Sequence, residues 1–252
     1  MTDKISIKTS EEIAKMKKGG KIAALVLATI KSKIKPGITT AELDQIAVKV
    51  IKDHQAGFSF QGFGGYPAVS CISVNNEVVH GLPSTTRILK DGDIVSVDVG
   101  VNYEGLHADT AATFAVGKIS KEAQKLIDIT QKSLAEGIKA IKPGKYLGDI
   151  SAVIQQVIED AGFGVVRDLT GHGVGKNLQE APSIPNFGEY GTGPILKEGM
   201  TLAFEPMVTS GDWHIKVKPD GWTVITTDGS LSAHFEHTIA VTKSGAEILT
   251  KI

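Results

Sequence analysis

Two aspartates stand in the middle of segments that otherwise have the pattern of β-strands. Apolar and small side chains alternate over 94–98 and run back over 106–114, with a turn pattern at 102–105 between them, so the sequence predicts a β-hairpin. Asp98 lies in the first arm and Asp109 in the second. Burying an unpaired carboxylate costs on the order of several kcal/mol, so these two acids need shared protons, salt bridges or a bound metal ion.

The first arm of this hairpin has a second copy 107 residues further along the chain. The motif I-K-P-G at 34–37 recurs at 141–144, and L-K-D-G-D-I-V-S-V-D, which ends at Asp98, aligns with L-K-E-G-M-T-L-A-F-E, which ends at Glu205. Two segments that keep one offset predict an internal duplication of a helix-helix-strand-hairpin unit. Glu205 then takes the place of Asp98 in the second half.

The return arm of the hairpin predicts a further acid in the second half. Its candidate is Glu236, which lies in S-A-H-F-E-H-T-I-A-V-T and follows Asp109 by 127 residues. Because this offset exceeds 107, about twenty residues around 210–229 are expected to be an insertion.

One histidine completes a set of metal-binding side chains. His172 lies in T-G-H-G-V-G, and with the four acids it forms a mostly oxygen, one-imidazole donor set. Such a set suits Mn, Fe, Co or Zn, and four acids are enough to neutralise two divalent ions. Two adjacent ions would lower the pKa of water for attack on a carbonyl, so the predicted reaction class is metal-assisted hydrolysis.

Four helices are predicted to position these strands. A capping pattern at Thr9 begins a first helix, whose apolar periodicity stops by Pro36, and a similar pattern at Thr39 begins a second. In the second half, helical periodicity predicts a helix over 121–141 and another through 150–158.

The composition is that of an ordinary soluble globular protein. The 252 residues are 41% hydrophobic, and 27 basic against 28 acidic residues favour neither a nucleic acid nor a membrane as partner. The single cysteine, Cys71, suits a reducing compartment, and we find no secretory signal pattern, so we expect a cytoplasmic protein. Nine lysines among residues 1–35 indicate a solvated helix face, with a docking surface for an anionic partner as the alternative.

In this order the motifs resemble the pita-bread metallopeptidases, and most closely the bacterial type I methionine aminopeptidase family. The resemblance rests on Asp98, on Asp109, on G-H-G around His172, on F-E-P at 204–206 and on H-F-E-H-T at 234–238. It covers nearly the whole chain. It implies removal of the initiator methionine from nascent polypeptides when the next residue is small.

The resemblance also implies a role for each member of the metal site. Asp98 would bind one metal ion, His172 and Glu205 the other, and Asp109 and Glu236 would bridge them. The same glutamate, at 205, would be the proton shuttle of the hydrolysis.

Substrate contacts follow from the same resemblance. His80, in S-C-I-S-V-N-N-E-V-V-H-G-L-P, would help to bind substrate and to stabilise the transition state. Tyr66, Cys71 and Trp222 fall where the family lines an apolar slot for the methionine side chain.

Three positions depart from the family pattern. Gln179 stands where the family usually has a second histidine, and the loss of one oxyanion donor, roughly 2.7–4 kcal/mol, bounds the effect on the transition state. Leu178 and Phe63 stand where the methionine pocket usually has an aromatic residue and a tyrosine. Activity or pocket shape is therefore expected to differ from the family norm.

We therefore expect one α/β (α+β) domain, residues 1–252, built from duplicated halves at about 10–116 and 120–250. It would have the pita-bread fold, in which two helix pairs cover the outer face of a pseudo-twofold, curved antiparallel sheet and a dinuclear metal site lies in the concave face. We expect a monomeric methionine aminopeptidase, with transient ribosome contact through the lysine-rich helix as an open alternative. A peptide-binding scaffold with weak or lost catalysis and a related proline-specific peptidase are the competing functions.

Overall fold

The structure of the protein is a computed structural model that describes residues 4–252. Its helices are α1 (Ser10–Lys31), α2 (Thr40–Asp53), α3 (Lys121–Ala140) and α4 (Leu147–Glu159), and a 3-10 turn covers Phe63–Gly65. Its strands are β1 (Gly57–Phe58), β2 (Ser70–Val74), β3 (Glu77–Val79), β4 (Ile94–Tyr103), β5 (Leu106–Ala115), β6 (Gly164–Val165), β7 (Thr170–Gly173), β8 (Glu180–Pro185), β9 (Thr201–Phe204), β10 (Met207–Thr209), β11 (Ile215–Val217), β12 (Val224–Thr226), β13 (Ser232–His234), β14 (Glu236–Thr242) and β15 (Gly245–Ile248).

The predicted capping signals begin the first two helices. Thr9 and Glu12 form a reciprocal capping box at the start of α1, and Thr39 and Glu42 do the same for α2. The first helix ends at Lys31, before the proline that the sequence marks as a stop. Within residues 4–252, every helix falls short of the length or the apolar character that crossing a bilayer requires.

Most strands join one large antiparallel sheet. Its order is β1-β4-β5-β14-β9-β7-β8, with β2 added beside β4 and β15 beside β14. The hairpin predicted from the sequence is formed by β4 and β5 and lies next to β14. The middle of the sheet is therefore the junction between the first half of the chain and the second.

Alternation along β4 separates an apolar face of this sheet from a polar one. Val95, Val97, Val99 and Val101 are fully buried, and they pack with the apolar side chains of α1 and α2. Because neighbouring side chains of a strand point to opposite faces, Asp98 faces away from the helices.

Each helix pair covers one half of the sheet. Leu27 of α1 and Leu43 of α2 pack over β2 and β4, whereas Leu126 of α3 and Ile154 of α4 pack over β9 and β14. Burying such a side chain contributes about 1.5–3 kcal/mol, so both pairs are held mainly by apolar contact. The predicted arrangement of two helix pairs on one face is confirmed.

Backbone pairing repeats between the two halves at the offset of 107 residues. Thr39 and Ile88 form an isolated antiparallel bridge, and Tyr146 and Ile195 form another. The backbone hydrogen bonds that flank these bridges repeat at the same offset. We propose on this basis that the two halves arose by duplication.

The return arms repeat at a different offset, 125 residues, and this corrects one alignment made from the sequence. The matching bonds run from the Gly92 N–H to the Val116 carbonyl and from the Gly199 N–H to the Val241 carbonyl. At this offset Glu236 corresponds to Ala111, with which it also pairs directly between β14 and β5, and His234 takes the place of Asp109. The interpretation of Glu236 as the copy of Asp109 was wrong by two residues, because the length of the insertion cannot be seen without the strand register.

The inserted segment contributes two strands to a small three-stranded sheet. β11 and β12 lie within 210–229, and β12 pairs with β3 of the first half. The turn between β11 and β12 carries Trp222, which lines the cavity described below.

Candidate functional site

The carboxylates lie on the sheet face that points away from the helices. Asp98 pairs with Ala111 on the next strand, and Ala111 pairs with Glu236 on the strand after that, so the two acids flank one small side chain. Asp109 lies two residues from Ala111 on the same face, and its N–H donates to Thr238 Oγ1 at 2.8 Å. The short alanine leaves room between the acids.

One cavity of about 250 Å³ brings all twelve residues predicted for the site together. They are Phe63, Tyr66, Cys71, His80, Asp98, Asp109, His172, Leu178, Gln179, Glu205, Trp222 and Glu236, and Phe60 is the one further lining residue.

Three of the proposed ligands are close enough to hold one cation together. Donor atoms of Asp109, His172 and Glu236 all lie within 4.8 Å of one another. Their exposed fractions are 4%, 9% and 2%. Two carboxylates and one imidazole in such a buried position are a donor set that divalent first-row metals accept.

The acids need a positive charge that residues 4–252 do not supply at the cavity. Asp98 Oδ1, Asp109 Oδ1 and Glu236 Oε1 are buried and accept no hydrogen bond from residues 4–252. Among the residues that the structure describes, no lysine or arginine lines the cavity. Because buried carboxylate oxygens without a partner are costly, these residues fit divalent cations as their missing partners.

Burial raises the pKa of every acid in the cluster, and repulsion from neighbouring acids adds to it for Asp98, Glu205 and Glu236. For Asp98 burial is the larger cause, and the charge of Asp109 the next. The pKa of Asp109 itself rises to about 7 through burial. Burial followed by the charge of Asp109 also raises the pKa of Glu205 and of Glu236.

The local backbone orients His172. Its Nδ1 lies 2.9 Å from the carbonyl oxygen of Gly173, so Nδ1 carries the proton and Nε2 offers its lone pair to the cavity. A Cβ on Gly171 would lie 2.3 Å from the Ala203 oxygen, and one on Gly173 would lie 2.2 Å from the Ala181 oxygen. The G-H-G motif is therefore required by the close approach of β7 to its neighbours.

Glu205 lies between two imidazoles. Its Oε1 is 3.6 Å from His172 Nε2, and its Oε2 is 3.6 Å from His234 Nε2. His234 is 1% exposed, and its Nε2 has no hydrogen-bond partner in the described part of the chain. Burial, then the charge of His80, lowers the pKa of His234 to about 3.

His234 was not among the site residues predicted from the sequence, although it begins the H-F-E-H-T motif. The duplication alone could not find it, because the position of this histidine relative to Asp109 depends on the strand register across the insertion.

The other end of the cavity is apolar. The rings of Tyr66 and Trp222 meet edge to face with centroids 5.2 Å apart. Leu178, Cys71 and Phe60 complete this cluster, and all three are buried. Burial, followed by the charge of the neighbouring carboxylate at position 98, raises the pKa of the Cys71 thiol, so the thiol is neutral and behaves as an apolar wall.

Phe60 is the lining residue that the sequence analysis missed. It lies in a loop with several aromatic residues, and nothing in the loop itself singles it out. The signal is Gly100 in the interior of β4, where a Cβ would lie 2.7 Å from the Phe60 ring. A glycine inside a strand often marks such a close approach.

His80 is held in an unusual backbone conformation at the cavity. Its φ is 59°, in the left-handed region that non-glycine residues rarely adopt. Burial lowers the pKa of its imidazole, so the ring is neutral near pH 7. A neutral imidazole at this point can donate one hydrogen bond to a substrate oxygen.

The three departures from the family pattern lie at different depths. Leu178 is 4% exposed and belongs to the apolar wall, whereas Phe63 is 47% exposed at the mouth of the cavity. Gln179 is exposed and reaches the edge of the cavity.

A curved antiparallel sheet covered by two helix pairs, with a buried carboxylate–imidazole cluster on its other face, defines a metal-dependent hydrolase. The model of metallopeptidase family M24 matches residues 14–243, and the chain belongs to this family. Its fold is the pita-bread fold, as predicted.

Two methionine aminopeptidases are similar to the chain over its full length. The methionine aminopeptidase of Clostridium perfringens (strain 13 / Type A) is 53% identical over 248 residues, which are 98% of this chain and 99% of that protein. The crystal structure of methionine aminopeptidase from Thermotoga maritima matches with a TM-score of 0.98 at 51% identity, over 99% of this chain and 100% of that one. The predicted resemblance to the type I methionine aminopeptidases is confirmed.

A more distant match has a similar fold at a much lower sequence identity. Prolidase from Pyrococcus furiosus matches with a TM-score of 0.77 at 24% identity, over 98% of this chain and 65% of that one. At this identity the likeness shows the fold alone.

Proposed function

We propose that this protein is a methionine aminopeptidase that hydrolyses the peptide bond after the N-terminal initiator methionine of nascent polypeptides when the next residue is small. The observation that carries the proposal is one cavity whose acidic, imidazole-bearing end adjoins a buried apolar slot. Full-length identity of 51–53% to methionine aminopeptidases supports it. Proline-specific peptidases such as the 24% identical prolidase share the fold at much lower identity, so the proline-specific alternative has weaker support.

We propose further that the acidic end holds two divalent ions, drawn from Mn, Fe, Co and Zn. Four carboxylates can neutralise two such ions. Asp98, Asp109, His172, Glu205 and Glu236 would hold them. Bound ions of this kind polarise a carbonyl group and acidify water, which is the chemistry that peptide hydrolysis requires.

The chain's own residues then bind the substrate and move protons. The apolar slot between Tyr66 and Leu178 takes the methionine side chain. His80, neutral through burial, donates a hydrogen bond to the oxygen of the scissile carbonyl. Glu205, whose pKa is raised by burial and then by Asp109, carries the proton that passes to the leaving amine.

Purified protein supplied with Mn or Co is expected to release methionine from a Met-Ala peptide and not from a Met-Leu peptide. Release is followed by chromatography of free methionine, with metal-free protein as the blank. If the protein binds two metal ions and releases no methionine above this blank, the binding-scaffold function replaces the enzyme.

Changing Gln179→His is expected to raise kcat for Met-Ala by about tenfold, near the scale of one donor in the transition state. A histidine can donate as the amide does and can also exchange a proton near neutral pH. Metal affinity, measured by calorimetry, should stay the same because residue 179 is exposed at the edge of the cavity. An unchanged kcat would show either that the glutamine already supplies the hydrogen bond to the transition state or that residue 179 makes no contact with the transition state.

We also propose a cytoplasmic monomer that acts on nascent chains. Four lysines in the first 35 residues already have partners within the protein, which supports the solvated helix face over a docking surface. These pairs are Lys8–Glu180, Lys15–Glu104, Lys17–Glu247 and Lys18 over the ring of Tyr103. The exposed Lys4, Lys21, Lys31, Lys33 and Lys35 lie outside these pairs and are the ones that a ribosome contact would use.

A further inference from the structure

We propose that Lys8 and Glu180 are positioning residues for the methionine pocket. Their ion pair fixes the segment 174–180, which carries Leu178 and Gln179 into the cavity. The inference rests on the proposed function, because it concerns a wall of the same pocket. It connects the amino-terminal end of the chain, far from the metal ligands in sequence, to substrate selection.

The ion pair is buried, and both oxygens of the glutamate have partners. Lys8 Nζ lies 2.6 Å from Glu180 Oε2, with the two side chains 5% and 11% exposed. Ser6 Oγ donates to the same oxygen at 2.6 Å. The N–H of Asn177 donates to Oε1 at 3.0 Å. The carboxylate therefore joins the amino-terminal segment on one side to the cavity loop on the other.

The loop also rests directly on the lysine. The backbone N–H of Lys8 donates to the carbonyl of Gly199 at 2.8 Å, which fixes the start of the side chain. A Cβ on Gly175 would lie 2.2 Å from Lys8 Cε, so the loop passes over the lysine stem with no room for a side chain. The carbonyl of Gly175 accepts from the His107 N–H at 2.8 Å.

Leu178 lies between Asn177, which is hydrogen-bonded to the Glu180 carboxylate, and Glu180 itself. Asn177, just before it, is bonded to the Glu180 side chain, and Glu180 itself begins β8. Without the lysine, a mostly buried carboxylate loses the one cation that is paired with it within residues 4–252, and the loop must move to hydrate it. The leucine wall would then be displaced from Tyr66 and the slot would become wider.

The variant Lys8→Met keeps the length of the stem and removes the charge. We expect its kcat/KM for an N-terminal methionine peptide, relative to the matching N-terminal leucine peptide, to fall at least about fivefold, with a higher KM for the methionine peptide. The matched control is Lys17→Met, which breaks the ion pair between Lys17 and Glu247. The two side chains of that pair are 45% and 39% exposed. The selectivity of this control for methionine over leucine should equal that of wild type. Equal losses on both peptides in Lys8→Met would mean a general structural role and would overturn the proposal.

Hydrogen exchange of the metal-free protein tests the same contact without the reaction. Amides within 174–180 should exchange at least about tenfold faster in Lys8→Met than in wild type, and at the wild-type rate in Lys17→Met. An unchanged rate there overturns the proposal. If wild type releases no methionine, the proposed function fails, whereas the exchange result still decides whether the pair holds the loop.

A second variant covers the case in which Lys8→Met does not fold. Glu180→Gln keeps an oxygen acceptor for Asn177 and a neutral contact for Lys8, so we expect smaller changes of the same sign in both selectivity and exchange. Wild-type selectivity together with wild-type exchange in Glu180→Gln would overturn the proposal.

Discussion

The substitution Glu236→Gln is expected to reduce methionine release by on the order of 10³-fold or more, which corresponds to about 4 kcal/mol in the transition state. The amide has nearly the same shape as the carboxylate but has no charge and one oxygen fewer. Glu236 pairs with Ala111 at the junction of the two halves, and its Oε1 is buried without a partner, so no neighbour can replace the lost oxygen. The same change should weaken metal binding.

Turnover of Met-Ala and metal content per chain measure this prediction. Glu247→Gln is the matched control, because it makes the same chemical change at a half-exposed glutamate beside Lys17, and it should retain wild-type values. Full metal loading with more than about a tenth of wild-type turnover in Glu236→Gln would remove this residue from the metal site.

The same substitution lowers activity, but in the metal-free protein it is expected to raise the stability of the fold. Near pH 8, Glu236→Gln without metal should unfold at a higher temperature than wild type without metal, by a few degrees at roughly 2–4 °C per kcal/mol for a chain of this size. The cause is mutual repulsion, because burial first and the charges of Asp109, Glu205 and Asp98 next raise the pKa of the Glu236 carboxyl. Removing one of four crowded acids relieves the other three.

The pH dependence of this difference follows from the direction of the shifts. A carboxyl whose pKa is higher in the folded than in the unfolded state binds more protons when folded, so its contribution to stability is full below about pH 4 and is lost as the pH rises. For Asp109 the loss extends to about pH 7. Buried histidines have the opposite effect, since the pKa of His234 is lowered to about 3 and that of His237 to about 4. Stability gained from them rises with pH up to about 6.5 and is then constant.

Comparing the two proteins cancels the histidine contribution, because both contain the same histidines. Thermal unfolding from about pH 5 to pH 8 should show the advantage of Glu236→Gln increasing with pH in the absence of metal. Saturating Mn, at about 1,000 times Kd, should add on the order of 4 kcal/mol, or roughly 10 °C, to wild type and much less to the variant. Wild type that is equally stable with and without metal would contradict the assignment of the four acids as ligands.

The two predictions together describe a site that opposes the fold until cations bind. Four acids on one face of a sheet lower the stability of the metal-free protein, and the apolar clusters under the two helix pairs offset that cost. Activity and metal-free stability should therefore change in opposite directions when a ligand is neutralised.

Local signals in the sequence were sufficient for the elements and for the acids of the first hairpin. The capping box at Thr9 and the alternation around Asp98 depend on neighbouring residues only, so the helix start and the hairpin could be read directly. The repeat that links Asp98 to Glu205 is likewise visible by counting, because a duplication leaves a constant offset wherever nothing has been inserted.

Register across the insertion could not be obtained in this way. The segment 210–229 changes the offset, and only the registers of β5 against β4 and of β14 against β9 show by how much, since Ala112 lies opposite Val97 and His237 opposite Phe204. His234 became recognisable as the counterpart of Asp109 for the same reason. Cross-strand hydrogen bonds set register, and they join residues that are far apart in the chain.

By itself the sequence determined the chemical types at the site, namely four carboxylates, one imidazole and an apolar slot, because these are properties of single residues in recognisable motifs. Only the tertiary structure decided which of them meet and what holds them. Phe60 reaches the slot because Gly100 gives it room, and Lys8 meets Glu180 across 172 positions of sequence. Such contacts arise from packing between distant segments, and the free energy that selects them does not exist until the whole chain has folded.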